Sequence, residues 1–158
     1  MVRLIAVGKV REPWLTEGVS EYVKRLSGYT KIQIIQVPDE KCPETLSDAQ
    51  RLQVMEKEGR KILDQISAKE YVITLEIKGK HMSSEELAEH MEMLRGSGRS
   101  DISFVIGGSL GLSKSVSDRA DLKLSFSRMT FPHQLMRVIL LEQLYRSFKI
   151  AKNEPYHK

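Results

Sequence analysis

"RLIAVGKVREPWLTEGVSEYVKRLSGYTKIQIIQV", residues 3 to 37, holds two β-rich runs separated by a helical pattern. The runs "RLIAV" (3 to 7) and "KIQIIQV" (31 to 37) are rich in aliphatic and β-branched residues, which favour strands. Between them, "WLTEGVSEYVKRL" (14 to 26) has the apolar spacing of a helix. Because a strand, a helix and a second strand in this order form the unit of parallel sheets, the stretch predicts a parallel α/β fold.

The same alternation continues through the rest of the chain. Later strands are predicted in "YVITLEI" (71 to 77), "ISFVIGG" (102 to 108) and "LKLSFS" (122 to 127), and helical patterns separate them. This order predicts an α/β fold with a mostly parallel sheet and helices on both faces. At 158 residues the chain is about one domain long, so we expect a single domain over residues 1 to 158.

Two helix starts carry capping signals. Ser47 and Asp48 can cap a helix over residues 47 to 66, and "SSEEL" (83 to 87) has the serine and glutamate spacing of a capping box. The first of these helices also has apolar residues at helical spacing, which we expect to be buried: Leu52, Met55, Gly59, Ile62, Leu63 and Ile66.

Composition excludes several classes of protein. The chain is 41% hydrophobic and 29% charged, and it has no apolar run near the ~18 residues that cross a bilayer, so we expect a soluble protein. The N-terminal residues show no export-signal pattern, which favours the cytoplasm. The single cysteine, Cys42, has no disulfide partner, and the four histidines show no zinc-site spacing. We therefore predict no metal.

The positive charge is concentrated near the end of the sequence. Residues 1 to 118 hold 17 Lys and Arg against 18 Asp and Glu, whereas residues 119 to 158 hold 8 against 3. The last quarter is therefore the better candidate for contact with a polyanion. A solvated basic surface without a partner is the alternative that charge alone leaves open.

Ligands of parallel α/β sheets bind beyond the carboxyl ends of the strands. Three stretches follow predicted strands: "LEIKGK" (75 to 80), "IGGSLGLS" (106 to 113) and "SFSRMTFPHQ" (125 to 134). The glycines of the second stretch have neither the GxGxxG spacing nor a P-loop lysine. They fit either a turn that a ligand approaches closely or a tight strand-to-helix turn.

The third stretch leads into the last helix. Pro132 suits the first helical turn, and Thr130 is a candidate cap. The backbone from Ser127 to Phe131 offers an adenine both N–H and C=O groups, with Met129 beside Phe131 as an apolar wall. A crossover that only lines the core is equally consistent with this pattern.

The last helix, "FPHQLMRVILLEQLYRSF" (131 to 148), is apolar at consecutive positions from Val138 to Leu141, which indicates burial on two sides. Glu142 and Arg146 are four residues apart, a spacing that is more often structural than functional. The closing "NEPYHK" alone suggests a disordered tail.

Together, several motifs resemble the ribosomal RNA large subunit methyltransferase H family of the SPOUT (α/β-knot) class. They are "AVGK" (6 to 9), "EYVKRL" (21 to 26), "VITLEIKGK" (72 to 80), "FVIGGSLGLS" (104 to 113), "SRMTFPHQLMRVILLEQLYRSFKI" (127 to 150) and "PYHK" (155 to 158). The resemblance covers nearly the whole chain in one register.

The resemblance implies an S-adenosyl-L-methionine-dependent transferase that methylates N3 of a pseudouridine in helix 69 of 23S rRNA on the assembled ribosome. It also implies a homodimer and a C-terminal trefoil knot, which periodicity does not indicate and which generic topology rules would exclude. In such a dimer the apolar excess of Val138 to Leu141 is interpreted as contact with the partner subunit.

The family's site residues map onto positions of this sequence. Its methyl-donor pocket corresponds to Leu75, Gly107, Gly108, Ser127, Arg128, Met129, Thr130, Phe131 and Pro132. Its residues for catalysis or RNA docking correspond to Glu142, Arg146, Tyr156 and His157. Lys158 departs from the family, where arginine is common, and loses the planar fork that binds phosphate at two points.

Methyl transfer to N3 requires positioning and removal of the N3 proton, and Glu142, His133 and His157 are candidate bases. Tyr156 is a candidate for stacking on an unpaired base, and Arg146 and Lys158 for holding phosphates. Two rival functions are a non-catalytic RNA-binding module and a dinucleotide-dependent oxidoreductase. The glycine spacing counts against the latter.

Overall fold

A computed structural model describes residues 1–158 as five strands and five helices in alternation. The strands are β1 (Val2–Val7), β2 (Ile32–Val37), β3 (Tyr71–His81), β4 (Ile102–Ile106) and β5 (Leu122–Ser125). The helices are α1 (Pro13–Leu26), α2 (Asp48–Leu63), α3 (Ser84–Gly96), α4 (Lys114–Arg119) and α5 (His133–Ala151).

All five strands form one sheet in the order β2-β1-β4-β3-β5, and every pair is parallel. The predicted α/β fold is confirmed, with a sheet that is parallel throughout. Alternate residues of the strands point to opposite faces, so Leu4 and Ile5 enter different cores. The larger core lies under α1, α3 and α5, and the smaller one under α2 and α4.

β3 is longer than its apolar pattern predicted, because it pairs with β5 in two registers. Leu75 is opposite Leu124, and after an irregularity Lys80 is opposite the same residue. Gly79 permits this close approach, since a Cβ there would lie 2.7 Å from the backbone carbon of Lys123. β4 and β5 end earlier than predicted, which leaves residues 107–113 and 126–132 as loops at the carboxyl edge of the sheet.

Both predicted helix starts are confirmed. Ser47 and Gln50 form a capping box on α2, and Ser83 and Glu86 form another on α3. The prediction was wrong in two details. α2 ends at Leu63 rather than at residue 66, and Leu52 is 61% exposed because it lies on the outer face of the helix.

The structure of α5 differs from the sequence prediction in how the helix is capped and in what its apolar residues contact. Pro132 is its N-cap rather than a residue of the first turn, and no side chain caps the helix, so the prediction of Thr130 as a cap is also wrong. Leu140 and Leu141 are fully buried in the core of their own chain, so their interpretation as contact with a partner subunit is wrong. The reason is that α5 packs against α1, α3 and the sheet together, which requires apolar residues on more than one side.

None of the helices combines the length and apolar character needed to cross a membrane. The structure also contains no group of three or more His, Cys, Asp or Glu side chains placed to hold a metal ion.

Candidate active site

A cavity of about 550 Å³ opens at the carboxyl edge of the sheet, between the loops that follow β3, β4 and β5. These are the three stretches that the sequence singled out. The cavity is lined by eight of the nine residues predicted to form the methyl-donor pocket: Leu75, Gly107, Gly108, Ser127, Met129, Thr130, Phe131 and Pro132. Arg128 is the exception, since it does not line the cavity.

The glycine stretch after β4 forms a tight turn, and contacts within the stretch itself require glycine. A Cβ on Gly107 would lie 2.8 Å from the backbone carbon of Gly111, and Gly111 itself has a φ of +89°. The Gly111 N–H donates to the Gly108 carbonyl at 3.0 Å. The tight-turn interpretation therefore accounts for these glycines, and the turn they form is one wall of the cavity.

The loop after β5 forms the opposite wall and is held by its own serines. Ser125 Oγ donates to the Ser127 carbonyl at 3.1 Å, and the Met129 N–H donates to Ser127 Oγ at 3.0 Å. Met129 remains 73% exposed and Phe131 37% exposed. The loop thus presents backbone polar groups and unburied apolar side chains to one space, which is a typical lining for a ligand with an aromatic ring.

Sequence reasoning missed one cavity residue with a charge. Glu76, directly after Leu75, lines the cavity and accepts hydrogen bonds from Thr74 Oγ1 at 2.6 Å and Ser117 Oγ at 2.8 Å. The sequence signal for this residue was its position in "LEIKGK", one of the three stretches that follow predicted strands.

His133 also lines the cavity. Burial is the main cause that lowers the pKa of its imidazole, and the nearby Arg137 guanidinium lowers the pKa further. Because neither ring nitrogen has a hydrogen-bond partner within the chain, the neutral side chain is free to bond to a ligand.

Arg137 is a buried cation without a carboxylate partner. Its Nη2 donates to the carbonyls of Val7 at 2.7 Å and Gly8 at 2.9 Å, while Nε and Nη1 make no hydrogen bond. Burial lowers the pKa of the guanidinium. These bonds attach α5 to the carboxyl end of β1, and the helical pattern of the sequence gave no sign of them.

The residues predicted for catalysis or RNA docking form one hydrogen-bonded cluster at the other end of α5. Arg146 Nη2 donates to Glu142 Oε1 at 2.6 Å, and Tyr156 Oη donates to the same oxygen at 3.0 Å. The Arg146 guanidinium lies 4.8 Å from the centre of the Tyr156 ring. Burial, followed by the effects of the neighbouring Tyr22 hydroxyl and the Glu142 carboxylate, raises the pKa of Tyr156 to about 12, so the phenol stays protonated and donates.

His157 completes the cluster. Arg146 Nη1 lies 3.1 Å from His157 Nδ1, and since a guanidinium only donates, Nδ1 accepts. Nε2 then carries the proton and donates to Glu85 Oε1 at 2.7 Å. The interpretation of the tail as disordered is wrong, because Tyr156 and His157 are half-buried and bonded to α3 and α5. Lys158 is exposed.

The cluster and the cavity are neighbours. Gln143 Nε2 donates to Glu142 Oε2 at 2.9 Å, and Ser84 Oγ donates to Gln143 Oε1 at 2.7 Å. Gln143 lines a second cavity of about 250 Å³, which shares Leu124, Phe126 and Phe131 with the large one. The predicted RNA-facing residues are therefore connected, through Gln143, to a cavity that adjoins the predicted donor pocket.

Comparison with known proteins gives consistent results. A family model described as "Predicted SPOUT methyltransferase" matches residues 1–157. The chain is 57% identical to the ribosomal RNA large subunit methyltransferase H of Enterococcus faecalis and 55% identical to that of Bacillus cytotoxicus, each over 157 residues and 99% of both chains.

Solved structures share the fold at low sequence identity. A methylase family protein from Neisseria gonorrhoeae matches with a TM-score of 0.57 at 12% identity, over 99% of this chain and 85% of that one. A methyltransferase from Legionella pneumophila, solved with bound S-adenosylmethionine, matches with a TM-score of 0.50 at 12% identity, over 93% of this chain and 66% of that one.

Proposed function

This chain belongs to the SPOUT methyltransferases and, among them, to the ribosomal RNA large subunit methyltransferase H family, and on that premise we propose that it methylates 23S rRNA. The methyl donor is S-adenosyl-L-methionine, and the acceptor is N3 of a pseudouridine in helix 69 of the assembled ribosome. An enzyme with this substrate works in the cytoplasm. The observation that carries the proposal is the convergence of the predicted donor residues on one cavity.

The cavity fits the donor in size and chemistry. A volume of about 550 Å³ lies within the usual range for small-molecule sites, roughly 300–1,000 Å³. Adenine needs backbone donors and acceptors together with apolar contacts, and the loop from Ser127 to Pro132 supplies these with Met129 and Phe131. When bound, S-adenosyl-L-methionine supplies an electrophilic methyl group on a sulfonium centre. The protein's task is to bind the donor and aim N3 along the sulfur–methyl axis.

In this proposal the acceptor RNA binds over the hydrogen-bonded cluster of Glu142, Arg146, Tyr156 and His157. Tyr156 is the residue for stacking on an unpaired base, and Arg146 and Lys158 are the cations for its phosphates. Arg146 is already held by Glu142, which keeps its guanidinium in place before RNA arrives. A pre-oriented cation loses less conformational freedom on binding.

Among the three candidate bases, geometry favours His133. Glu142 accepts hydrogen bonds from Arg146, Gln143 and Tyr156, and both ring nitrogens of His157 are engaged. His133 alone lines the large cavity, and its lowered pKa keeps the imidazole neutral and able to accept the N3 proton near pH 7.

The active enzyme is a knotted homodimer in this proposal, as in the family resemblance. Since Leu140 and Leu141 are buried within one chain, other residues form the dimer surface. We further propose that the tail of one subunit reaches across the dimer and binds the acceptor RNA beside the donor cavity of the other, without contacting the donor itself, so that each active site combines residues of both chains.

Mass spectrometry of 23S rRNA from cells with and without this protein tests the proposal. We expect one methylpseudouridine in helix 69 to disappear and to return when the purified protein and S-adenosyl-L-methionine are added to the undermethylated ribosomes. A methyl group lost from another nucleotide would refute the acceptor. Unchanged methylation, with no S-adenosyl-L-methionine binding by calorimetry, would instead favour a non-catalytic RNA-binding module.

A further inference from the structure

A buried carboxylate lies next to the glycine turn that follows β4. Glu58 of α2 is only 5% exposed, and its Oε2 accepts the Glu40 N–H at 3.1 Å. Its Oε1 makes no hydrogen bond within the chain, and no cation bonds to either oxygen. Burial is the main cause that raises the pKa of this carboxyl group. A buried acid without a counter-charge is costly to fold, so its presence calls for a ligand or a specific role.

Glu58 Oε1 is directed toward the turn that forms the cavity wall. A Cβ placed on Gly108 would lie 3.1 Å from this oxygen. Glu58 also lines a smaller cavity of about 220 Å³, which shares Gly108, Ser109 and His133 with the large cavity. The two cavities therefore meet along the glycine turn, with Glu58 beyond it.

The two cavities differ in charge. The large one has Glu76 as its only carboxylate, and both Glu76 oxygens already accept hydroxyl hydrogen bonds. The smaller one is lined by three acids, Asp39, Glu40 and Glu58, against one lysine, Lys41. A positively charged group is therefore favoured in the smaller cavity.

Among those three acids, Glu58 is best placed to bind such a group. Glu40 is paired with Lys61 at 2.7 Å, and Asp39 is exposed to solvent, where an ion pair contributes little. Glu58 is buried and has a free oxygen. A charge-assisted hydrogen bond to a buried carboxylate is stronger than one at the surface.

We propose that the smaller cavity receives the amino-acid end of the methyl donor, and that Glu58 accepts a hydrogen bond from its α-ammonium group. This inference rests on the proposed function and adds a specificity-determining residue to it. The adenosine part then occupies the large cavity, and Glu58 selects donors that carry an intact amino-acid end. The negative charge of Glu58 is compensated when the ammonium group binds.

Calorimetry with two ligands tests the proposal without an activity measurement. Glu58→Gln keeps the volume of the side chain and an acceptor for the Glu40 N–H, but it removes the charge. We expect this variant to bind S-adenosyl-L-methionine about tenfold more weakly or worse, as the loss of a charge-assisted bond predicts. Binding of 5′-methylthioadenosine, which lacks the amino-acid end, should change less than about twofold by the same reasoning.

Glu56→Gln is the matched control, because it removes the same charge from the same helix at a half-buried position outside the two cavities. It should leave both affinities unchanged. Equal weakening of both ligands by Glu58→Gln would overturn the proposal and assign Glu58 to support of the turn. Unchanged affinities would overturn it as well. If the unaltered protein did not bind S-adenosyl-L-methionine, the proposed function itself would be refuted.

If Glu58→Gln does not fold, the affinities of the unaltered protein for two related ligands test the proposal instead. The unaltered protein should bind S-adenosylhomocysteine about tenfold more tightly than an analogue of it that lacks only the α-amino group. Equal affinities for the two compounds would overturn the proposal.

Discussion

Replacing Gly107 with alanine adds one methyl group at the most crowded point of the glycine turn. The new Cβ would lie 2.8 Å from the backbone carbon of Gly111 and 3.0 Å from its oxygen. Both atoms belong to the backbone, so they cannot rotate away as a side chain would. The turn has to open, and the wall of the large cavity moves with it.

The size of the effect follows from these distances. Contacts this short force backbone shifts, and overpacking of this kind costs about 1–3 kcal/mol. For a domain of this length each kcal/mol lowers the melting temperature by roughly 2–4 °C, so we expect a decrease of about 2–12 °C. Affinity for S-adenosyl-L-methionine should fall by about tenfold or more, because near the ligand even small displacements disturb hydrogen bonds.

Thermal unfolding followed by circular dichroism, together with calorimetry of donor binding, measures both effects. Gly96→Ala is the matched control, since a Cβ there meets no atom within 4 Å. Gly96 ends α3, where alanine favours helix by up to about 1 kcal/mol relative to glycine. The control should therefore melt at the same temperature or higher and bind the donor normally.

The reasoning would be refuted by a Gly107→Ala variant with an unchanged melting temperature and unchanged donor affinity. Such a result would mean that the turn absorbs the methyl group without opening. A lower melting temperature with normal donor affinity would keep the steric argument but remove this turn from the donor site.

Three further predictions follow from the structure. Leu140→Asp should give unfolded or insoluble protein rather than a folded monomer, because the charge would be buried within one chain. A variant that circular dichroism and sedimentation show to be folded and soluble would contradict this prediction. Deletion of Tyr156 to Lys158 should abolish methylation of ribosomes while leaving donor affinity within about twofold, since these residues do not line the large cavity; full methylation by the shortened protein would refute a role for the tail. His133 has a folded-state pKa below its unfolded value near 6.5, so the unfolded chain binds protons first and stability should fall as pH drops below about 6.5. His133→Gln should flatten this slope in urea titrations, and an unchanged slope would contradict the assignment.

Much of the fold could be predicted because local signals agreed with the tertiary structure. Each of the five β-rich runs became a strand, and both capping boxes mark a helix start. The order of the strands could not be predicted, since β4 inserts between β1 and β3 through contacts distant in sequence. Leu52 shows a second limit, because helical spacing places a residue on a face without saying whether that face is covered.

The site could be predicted only in part, for a similar reason. Loops after parallel strands converge at one edge of the sheet, so the large cavity followed from the strand pattern. Glu58 gave no signal, because it is one glutamate in a charged helix and its closeness to Gly108 arises only when α2 packs on the sheet. The bonds of Arg137 to Val7 and Gly8 join residues about 130 positions apart, which no local pattern reveals.

α5 makes contacts with each part of the candidate site. Near the start of the helix, Arg137 donates a hydrogen bond to the end of β1. In the middle of the helix, Gln143 bonds to Ser84 of α3. About one turn later, Arg146 bonds to Glu142 and His157. Because these contacts lie on one rigid helix, a shift of the helix changes the support of the donor cavity and the position of the tail together. A substitution that moves α5 should therefore weaken donor binding and methylation in parallel. A substitution in the tail itself should separate them.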